Sequence, residues 1–148
     1  MSQPPVVTAV VVSHDSGDYL IACVADLLAQ DVPVQVVVVD NASRDGAPGR
    51  LPEHPMLELL RNPGNPGFGA ACNQGAARAH ASRLLFVNPD CRLPADTVSR
   101  LCRHLDAAPD IGVLGARLRN ADGTPQSAAQ RRTPLPARAI AQALGLRA

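Results

Sequence analysis

Three short polar clusters stand where apolar runs stop: Ser13-His14-Asp15, Asp40-Asn41-Ala42-Ser43 and Asn88-Pro89-Asp90. The runs before them have the length and character of strands buried in a parallel sheet. Parallel strands would bring all three clusters to one edge, outside the carboxyl ends of the strands, where open α/β sheets bind ligands. A fourth stretch, Asn62-Pro63-Gly64-Asn65-Pro66-Gly67-Phe68-Gly69, is too dense in Pro and Gly to be anything but a loop. It opens a helix whose free N–H groups and positive dipole end suit a phosphate. Together these groups suit a nucleotide diphosphate. Asp40 can accept from a base N–H, Gly67, Gly69 and Asn73 can flank ribose or phosphate, and Asp90 can hold a divalent cation against the diphosphate. Mg²⁺ takes as few as one or two protein carboxylates, so a single aspartate is chemically sufficient.

Each residue also has a plainer reading. His14 and Asp15 either touch the nucleotide or cap the next helix, and Asp40 is either a base-reading acid or a loop cap. Asn88-Pro89-Asp90 alone could be a turn before a helix. Pro89 cannot donate to a ladder and biases Asn88 toward an extended conformation, so the strand stops there and Asp90 emerges past its end. Cys91 reads as a buried thiol, and His54, His80 and His104 read as structural. Arg131-Arg132 could touch a diphosphate but reads first as a solvated charge pair.

The elements that must position these groups follow from periodicity. Residues 6–13 and 34–39 are β-branched apolar runs, a weaker strand covers 56–61, and the strand at 83–88 is expected to be central and buried on both faces. Leu20, Cys23, Val24, Leu27 and Leu28 recur at helical spacing in a helix running to about Gln30. A short helix or irregular segment is expected at 47–52. Phe68, Ala71, Cys72, Gly75, Ala76 and Ala79 form a small-residue helical face fit for close packing on the sheet. Pro94 is expected to open a further helix with Val98, Leu101, Cys102 and Leu105 as its buried stripe, and 111–118 to form a fifth strand. Strand and helix patterns alternate four times, which argues for an α/β fold with a mostly parallel sheet and helices on both faces. After Arg119 the character changes: a turn at 120–124, then 137–146 as a helix with Ile140, Ala141 and Leu144 on one side and nothing following to cover it.

With 148 residues, 46% hydrophobic content and mean hydropathy of zero, the chain is expected to be one soluble globular domain. A net charge of +1 and three aromatic residues argue against nucleic acid as a partner. No apolar run approaches the roughly 20 residues of a membrane span, and no signal peptide is recognised, so the cytoplasm is the expected compartment. Any membrane contact would be peripheral. All 14 basic residues are arginine. Cys23, Cys72, Cys91 and Cys102 include no C-x-x-C pair and read as reduced thiols.

On these motifs the chain resembles the family 2 glycosyltransferases of the GT-A fold, particularly the bacterial rhamnosyltransferase-like branch. Residues 10–14 match the first strand and base-side loop, and 37–45 carry the base-binding acid Asp40. Residues 62–75, with Gly67, Gly69 and Asn73, match the segment leading to the sugar-donor-side helix, and Phe86-Val87-Asn88-Pro89-Asp90 matches the D-x-D metal motif. The resemblance spans roughly residues 6–133. It implies a Rossmann-like nucleotide-diphosphate-sugar-binding sheet and inverting transfer from a dTDP- or UDP-linked sugar to an acceptor hydroxyl. It also implies Mg²⁺ or Mn²⁺ on the diphosphate, in polysaccharide biosynthesis. Ser13, His14, Asp15, Asp40, Asn41, Ser43, Gly67, Gly69, Asn73 and Asn88 would bind the sugar donor and Asp90 the metal. The first D-x-D position is Asn88, which leaves Asp90 as the metal residue. Enzymes of this kind continue into a segment supplying the catalytic base and acceptor pocket, whereas this sequence stops at Ala148. The expectation is a sugar-donor domain at 1–119 and the start of an acceptor-side segment at 120–148. No catalytic base is assigned, and turnover would depend on another chain.

Two other readings stand beside it. In a dinucleotide-binding oxidoreductase, Gly67-Phe68-Gly69-Ala70-Ala71-Cys72 would be the phosphate fingerprint and Asp90 the ribose acid, although Cys72 fills the third glycine's place and two βα units precede the motif. A non-catalytic module would bind nucleotide, or associate with itself through the stripe of Ile140 and Leu144, without turning over.

Overall fold

The computed structural model describes residues 4–120 and 122–126. The chain divides into two compact units, residues 1–109 and 110–148. The first is an α/β unit in the order β1 (Val7–Ser13), α1 (Gly17–Leu28), β2 (Val34–Asp40), a 3₁₀ turn (Ala47–Arg50), β3 (Leu57–Arg61), α2 (Phe68–Ala76), β4 (Leu84–Val87) and α3 (Thr97–Ala107). The four strands form one parallel sheet in the order β3-β2-β1-β4.

The valine runs explain the centre of the sheet. β1 and β2 are buried along their whole length, so both faces need apolar side chains and neither strand alternates. One face packs Val11, Val36 and Val38 against Leu20, Val24 and Leu27 of α1 and Val98 and Cys102 of α3. The other packs Val10, Val37 and Val39 against Ala71 of α2. There Gly75 lies flush on Val10: a Cβ at this position would overlap Val10 Cγ1. Thr8 and Gln35 interrupt the apolar pattern because they serve the turn after α2. Gln35 Nε2 donates to the Arg78 carbonyl, while Gln35 Oε1 and Thr8 Oγ1 accept from the His80 and Ala81 N–H groups. Captured this way, the backbone leaves the helix at Ala76, before the periodic pattern at Ala79 ends.

Three expectations are corrected. β4 is an edge strand of the described sheet and not a central one. Leu85 packs on the α1 side, but Leu84 and Phe86 on the other side remain 44% and 50% exposed, because α2 covers β1 and β2 and stops short of β4. The helix expected from Pro94 starts at Thr97. The Pro94 and Ala95 carbonyls are held by Gln30 Nε2 and the Asp31 N–H at the end of α1, which keeps that segment out of the helix. Residues 111–118 form no strand: they stay exposed, Gly112 and Gly115 supply no side chains to pack, and the bridge nearby among the described residues pairs Arg119 with Pro125. That bridge closes the turn expected at 120–124, where the Asn120 N–H donates to the Thr124 carbonyl. The helix expected at 137–146 and the pair Arg131-Arg132 lie outside the described residues. Among the described residues no helix is long and apolar enough to cross a membrane.

Candidate functional site

The register of the sheet sets the site. Ser13 pairs with Asp40, and Asp40 with Arg61. Two residues before each, Val11, Val38 and Leu59 belong to the α1-side core. The period-two alternation of strands therefore puts Ser13, Asp40 and Arg61 in one row on that face. Hydroxyl, carboxylate and guanidinium stand side by side at the carboxyl edge. Asp40 is 2% exposed. Its Oδ1 accepts the Ser43 N–H at 3.0 Å, and Arg61 Nη1 lies 3.6 Å from its Oδ2. Ser13, fully buried, donates to Ser16 Oγ at 3.1 Å.

The loops after β1 and β2 are laced together. Asp15 adopts φ +51°, its N–H donates to Ser43 Oγ at 3.0 Å, and its Oδ1 accepts the Arg44 N–H at 2.6 Å. Asp45 accepts from the Ala47 N–H at 2.9 Å and the Gly17 N–H at 2.6 Å, and these two bonds hold its carboxyl below the usual carboxylate range. The N-cap of α1 is Ser16, without a side-chain cap bond, so His14 and Asp15 serve the neighbouring loop and not the helix. His14 Nδ1 bonds the Asn41 carbonyl at 2.8 Å. A carbonyl only accepts, so Nδ1 carries the hydrogen and Nε2 is the acceptor of the neutral ring.

Asn41 ties these loops to the Gly-rich one. It is 2% exposed, its N–H donates to the Ser13 carbonyl at 2.8 Å, its Nδ2 to Asn65 Oδ1 at 3.2 Å, and its Oδ1 accepts from Asn62 Nδ2 at 2.9 Å. Asn65 Oδ1 also accepts the Gly67 N–H at 3.0 Å, and Asn62 Nδ2 also reaches Gln74 Oε1 at 2.8 Å. Gly67, the N-cap of α2, has φ +92°, where an L side chain would be strained. Asn41 thus reaches the site as a brace between loops. Gly69 and Asn73 lie exposed on α2, and the position a Cβ would take at Gly69 is open.

Direct bonds therefore unite the first cluster, the second and the Gly-rich loop. They do not extend to the third, where Asn88 and Asp90 are exposed beyond β4, the neighbour of β1. That segment is anchored instead to α1. The Asn88 carbonyl accepts from Cys23 Sγ at 3.6 Å, and Asp26 takes Arg92 Nε at 2.7 Å, Arg92 Nη2 at 3.0 Å and the Leu93 N–H at 2.9 Å. The Arg92 guanidinium holds the Asp26 carboxyl below its ordinary value, while burial pushes the Cys23 thiol up to about 12. Among the described residues no three His, Cys, Asp or Glu side chains cluster to hold a metal. Asp90 stands as a single exposed carboxylate beyond β4.

Sequence reasoning missed Arg61, Asn62, Asn65 and Asp45. Arg61 had one available signal, a polar residue ending an apolar run as Asp40 does. A cavity of about 380 Å³ lined by Leu28, Asp31, Pro33, His54 and Met56 opens at the amino-terminal edge, away from these groups.

The family model described as Glycosyl transferase family 2 matches residues 8–146. The chain belongs to glycosyl transferase family 2. Among curated relatives, it is 33% identical over 108 residues to the succinoglycan biosynthesis protein ExoO of Rhizobium meliloti, covering 70% of this chain and 31% of ExoO. It is 30% identical over 132 residues to the N-acetylglucosaminyl-diphospho-decaprenol L-rhamnosyltransferase of Mycobacterium tuberculosis, covering 80% of this chain and 43% of that protein. The chain thus spans less than half the length of these two relatives. Among solved structures, the mannosyltransferase PcManGT from Pyrobaculum calidifontis, in complex with GDP-Man and Mn²⁺, superposes with a TM-score of 0.67 at 29% identity, covering 75% of this chain and 35% of that one. S. aureus TarS 1-349 in complex with UDP-GlcNAc gives a TM-score of 0.59 at 24% identity over 68% of this chain and 31% of TarS, a likeness of fold. The sheet is that of the GT-A glycosyltransferases. Membership in family 2 sets aside the dinucleotide oxidoreductase reading. The Gly67-Phe68-Gly69 turn follows β3, the far edge strand, and not the strand that would open a dinucleotide fold.

Proposed function

We propose that this chain is the sugar-donor side of a family 2 glycosyltransferase. It binds a nucleotide-diphosphate sugar, dTDP- or UDP-linked, with Mg²⁺ or Mn²⁺, and presents the sugar for transfer to an acceptor hydroxyl in cytoplasmic polysaccharide assembly. The observation that carries this reading is the lacing of three loops at one sheet edge. It holds the Asp40 carboxylate at the same edge as the exposed first turn of α2, which supports a base-side acid beside a site for ribose or phosphate. Ser13, His14, Asp15 and Ser43 shape the base side, and Gly67, Gly69, Asn73 and Asn88 line the path toward the diphosphate. PcManGT was solved with a nucleotide-diphosphate sugar and Mn²⁺, which supports the same ligand class here.

A divalent cation, when bound, neutralises diphosphate charge and stabilises the departing nucleotide. Asp90 is the residue that would hold it, with Asn88 beside it as a neutral partner. Inverting transfer also needs a carboxylate within hydrogen-bond reach of the acceptor hydroxyl, and we assign none among the described residues. Residues 1–119 are read as the sugar-donor domain and 120–148 as an acceptor-side segment.

Calorimetric titration with dTDP and UDP, each with and without Mn²⁺, tests the proposal. The expected result is binding that Mn²⁺ strengthens, and an Asp90→Ala variant that keeps its melting temperature but loses the Mn²⁺ enhancement. Absence of pyrimidine diphosphate binding would overturn the reading. Unchanged enhancement in Asp90→Ala would remove that residue from the site.

A further inference from the structure

We propose that Asp26 of α1, by clamping Arg92 and the Leu93 N–H, is the positioning residue that holds Asp90 at the carboxyl edge of the sheet. The inference rests on the nucleotide-sugar reading above, in which Asp90 holds the cation, and names the residue that keeps Asp90 in place.

β4 alone does not fix Asp90. Its ladder to β1 runs from Thr8 with Leu84 to Val11 with Val87 and stops there, while β1 continues to Ser13 in its pairing with β2. Past the ladder the chain makes a β-turn: the Cys91 N–H donates to the Asn88 carbonyl at 3.1 Å, with Pro89 and Asp90 as the central residues. A turn on the end of a four-residue edge strand swings with that strand unless its far side is tied down. The ties come from α1. Cys23 and Asp26, three residues apart, share one helix face, and Gln30 follows just past the helix end. Cys23 Sγ donates to the Asn88 carbonyl, Asp26 takes Arg92 and the Leu93 N–H, and Gln30 Nε2 donates to the Pro94 carbonyl at 2.9 Å. The chain after β4 is laid along α1 in that order.

The middle tie is the strong one. A thiol is a weak donor, and the Gln30 bond joins two neutral groups. Asp26 instead receives both Nε and Nη2 of one guanidinium and a backbone N–H as well, and charge-assisted bonds of this forked kind are roughly twice as strong as neutral ones. The Asp26 side chain is 18% exposed and that of Arg92 69%, so the acid is the fixed partner and the arginine the arm folded onto it. Asp90 lies two residues from Asn88 and two from Arg92, between the weak tie and the strong one. Without Asp26 the turn is held at its strand side only, and a cation would have to order it on binding.

The test titrates UDP into the full 148-residue chain, with and without Mn²⁺, in wild type, Asp26→Ala, Arg92→Met and Asp90→Ala. Wild type is expected to gain affinity from Mn²⁺. Asp26→Ala is expected to match wild type without Mn²⁺, because neither Asp26 nor Arg92 belongs to the laced loops, and to lose about tenfold of the Mn²⁺ gain, the cost of ordering about one backbone residue anew. Arg92→Met is expected to lose a smaller part, since Asp26 still takes the Leu93 N–H, and as a surface substitution it reads the clamp even where Asp26→Ala destabilises the chain. The two variants change the local charge in opposite senses, so a loss of Mn²⁺ gain in both marks positioning, and a larger gain in Arg92→Met would overturn the inference in favour of charge alone. Hydrogen exchange of the metal-free chain, followed by mass spectrometry, is expected to quicken at residues 88–93 in Asp26→Ala and to stay unchanged at 40–46 and 62–69. Weaker UDP binding without Mn²⁺ in Asp26→Ala, or faster exchange throughout, would make Asp26 a general support of the fold and overturn the inference. A full Mn²⁺ gain in Asp26→Ala and Arg92→Met, with the gain lost in Asp90→Ala, removes this inference alone. Wild type that binds no UDP, or a gain retained in Asp90→Ala, removes the reading it rests on and this inference with it.

Discussion

Gly75→Ala is the substitution whose outcome the structure constrains most tightly. The added Cβ would overlap Val10 Cγ1 and lie 3.1 Å from Cγ2 and 3.3 Å from Val10 Cβ. Val10 cannot step aside: it is β-branched, 1% exposed, and held in the middle of β1 between Val37 and Phe86. Relief must come from α2 lifting off the sheet, and a hard overlap with a side chain that cannot move puts the cost in the upper part of the overpacking range, about 2–3 kcal/mol. Alanine returns about 0.8–1 kcal/mol through its better helix propensity, so the net loss is about 1–2 kcal/mol. For a chain of this size, each kcal/mol moves Tm by roughly 2–4 °C. Thermal melting followed by circular dichroism should therefore show a drop of roughly 2–8 °C. Val10→Ala makes room for the new methyl, so the double variant should be more stable than the sum of the two single losses by about 1 kcal/mol. A Gly75→Ala protein that melts at or above the wild-type temperature would refute the reasoning, because it would show the helix gain without the clash.

Two further outcomes follow from the segment that carries Asp90. Arg92 depresses the Asp26 carboxyl, so protons bind more weakly to the folded chain than to the unfolded one. The associated stability is fully present above the ordinary value of 3.8 and is lost as pH falls below it. Because Arg92 is 69% exposed and screened by solvent, Asp26→Asn should cost only about 1 kcal/mol at pH 7 and nearly nothing near pH 2, which urea titration at both pH values would measure; equal losses at both would count against the pair. Cys23 and Cys102, both buried, should be silent to a thiol reagent at pH 8 in the native state while all four thiols react in guanidinium. Mass-spectrometric labelling of native Cys23 as fast as half-buried Cys72 would contradict the packing of α1.

The fold was legible because its signals are local. Valine-rich runs mark β1 and β2, the i, i+3, i+4 stripe marks α1, and the Pro and Gly density between Asn62 and Gly69 marks the loop. What stayed hidden depends on which strands are neighbours. Nothing in Leu84-Leu85-Phe86-Val87 says that only one of its faces is covered, since a fully buried strand and an apolar edge strand share a composition. The run Ile111 to Leu118 likewise has strand-like residues without a ladder to join. At the site, the clusters ending on Asp15, Ser43 and Asp90 could be placed on one edge by topology alone. The pairing of Asp40 with Arg61 needs register, and the bracing of Asn41 by Asn62 and Asn65 needs three-dimensional proximity that no spacing rule encodes.

The lacing of the loops also fixes an order of assembly. Every hydrogen bond that joins the first two loops to the Gly-rich loop lies between Ser13 and Gln74, and the strands that carry them, β1, β2 and β3, are contiguous in the sheet. During synthesis the amino-terminal part of a chain emerges first. The laced loops can therefore form on a nascent chain while β4 is still unmade. The pairing of Thr8 with Leu84 joins the most distant segments in the sheet, so it carries the largest loop-closure cost and forms last. Asp90 arrives with it. A chain arrested before β4 would hold the laced loops without Asp90, so under the function proposed above metal-dependent binding would begin only when the last strand docks.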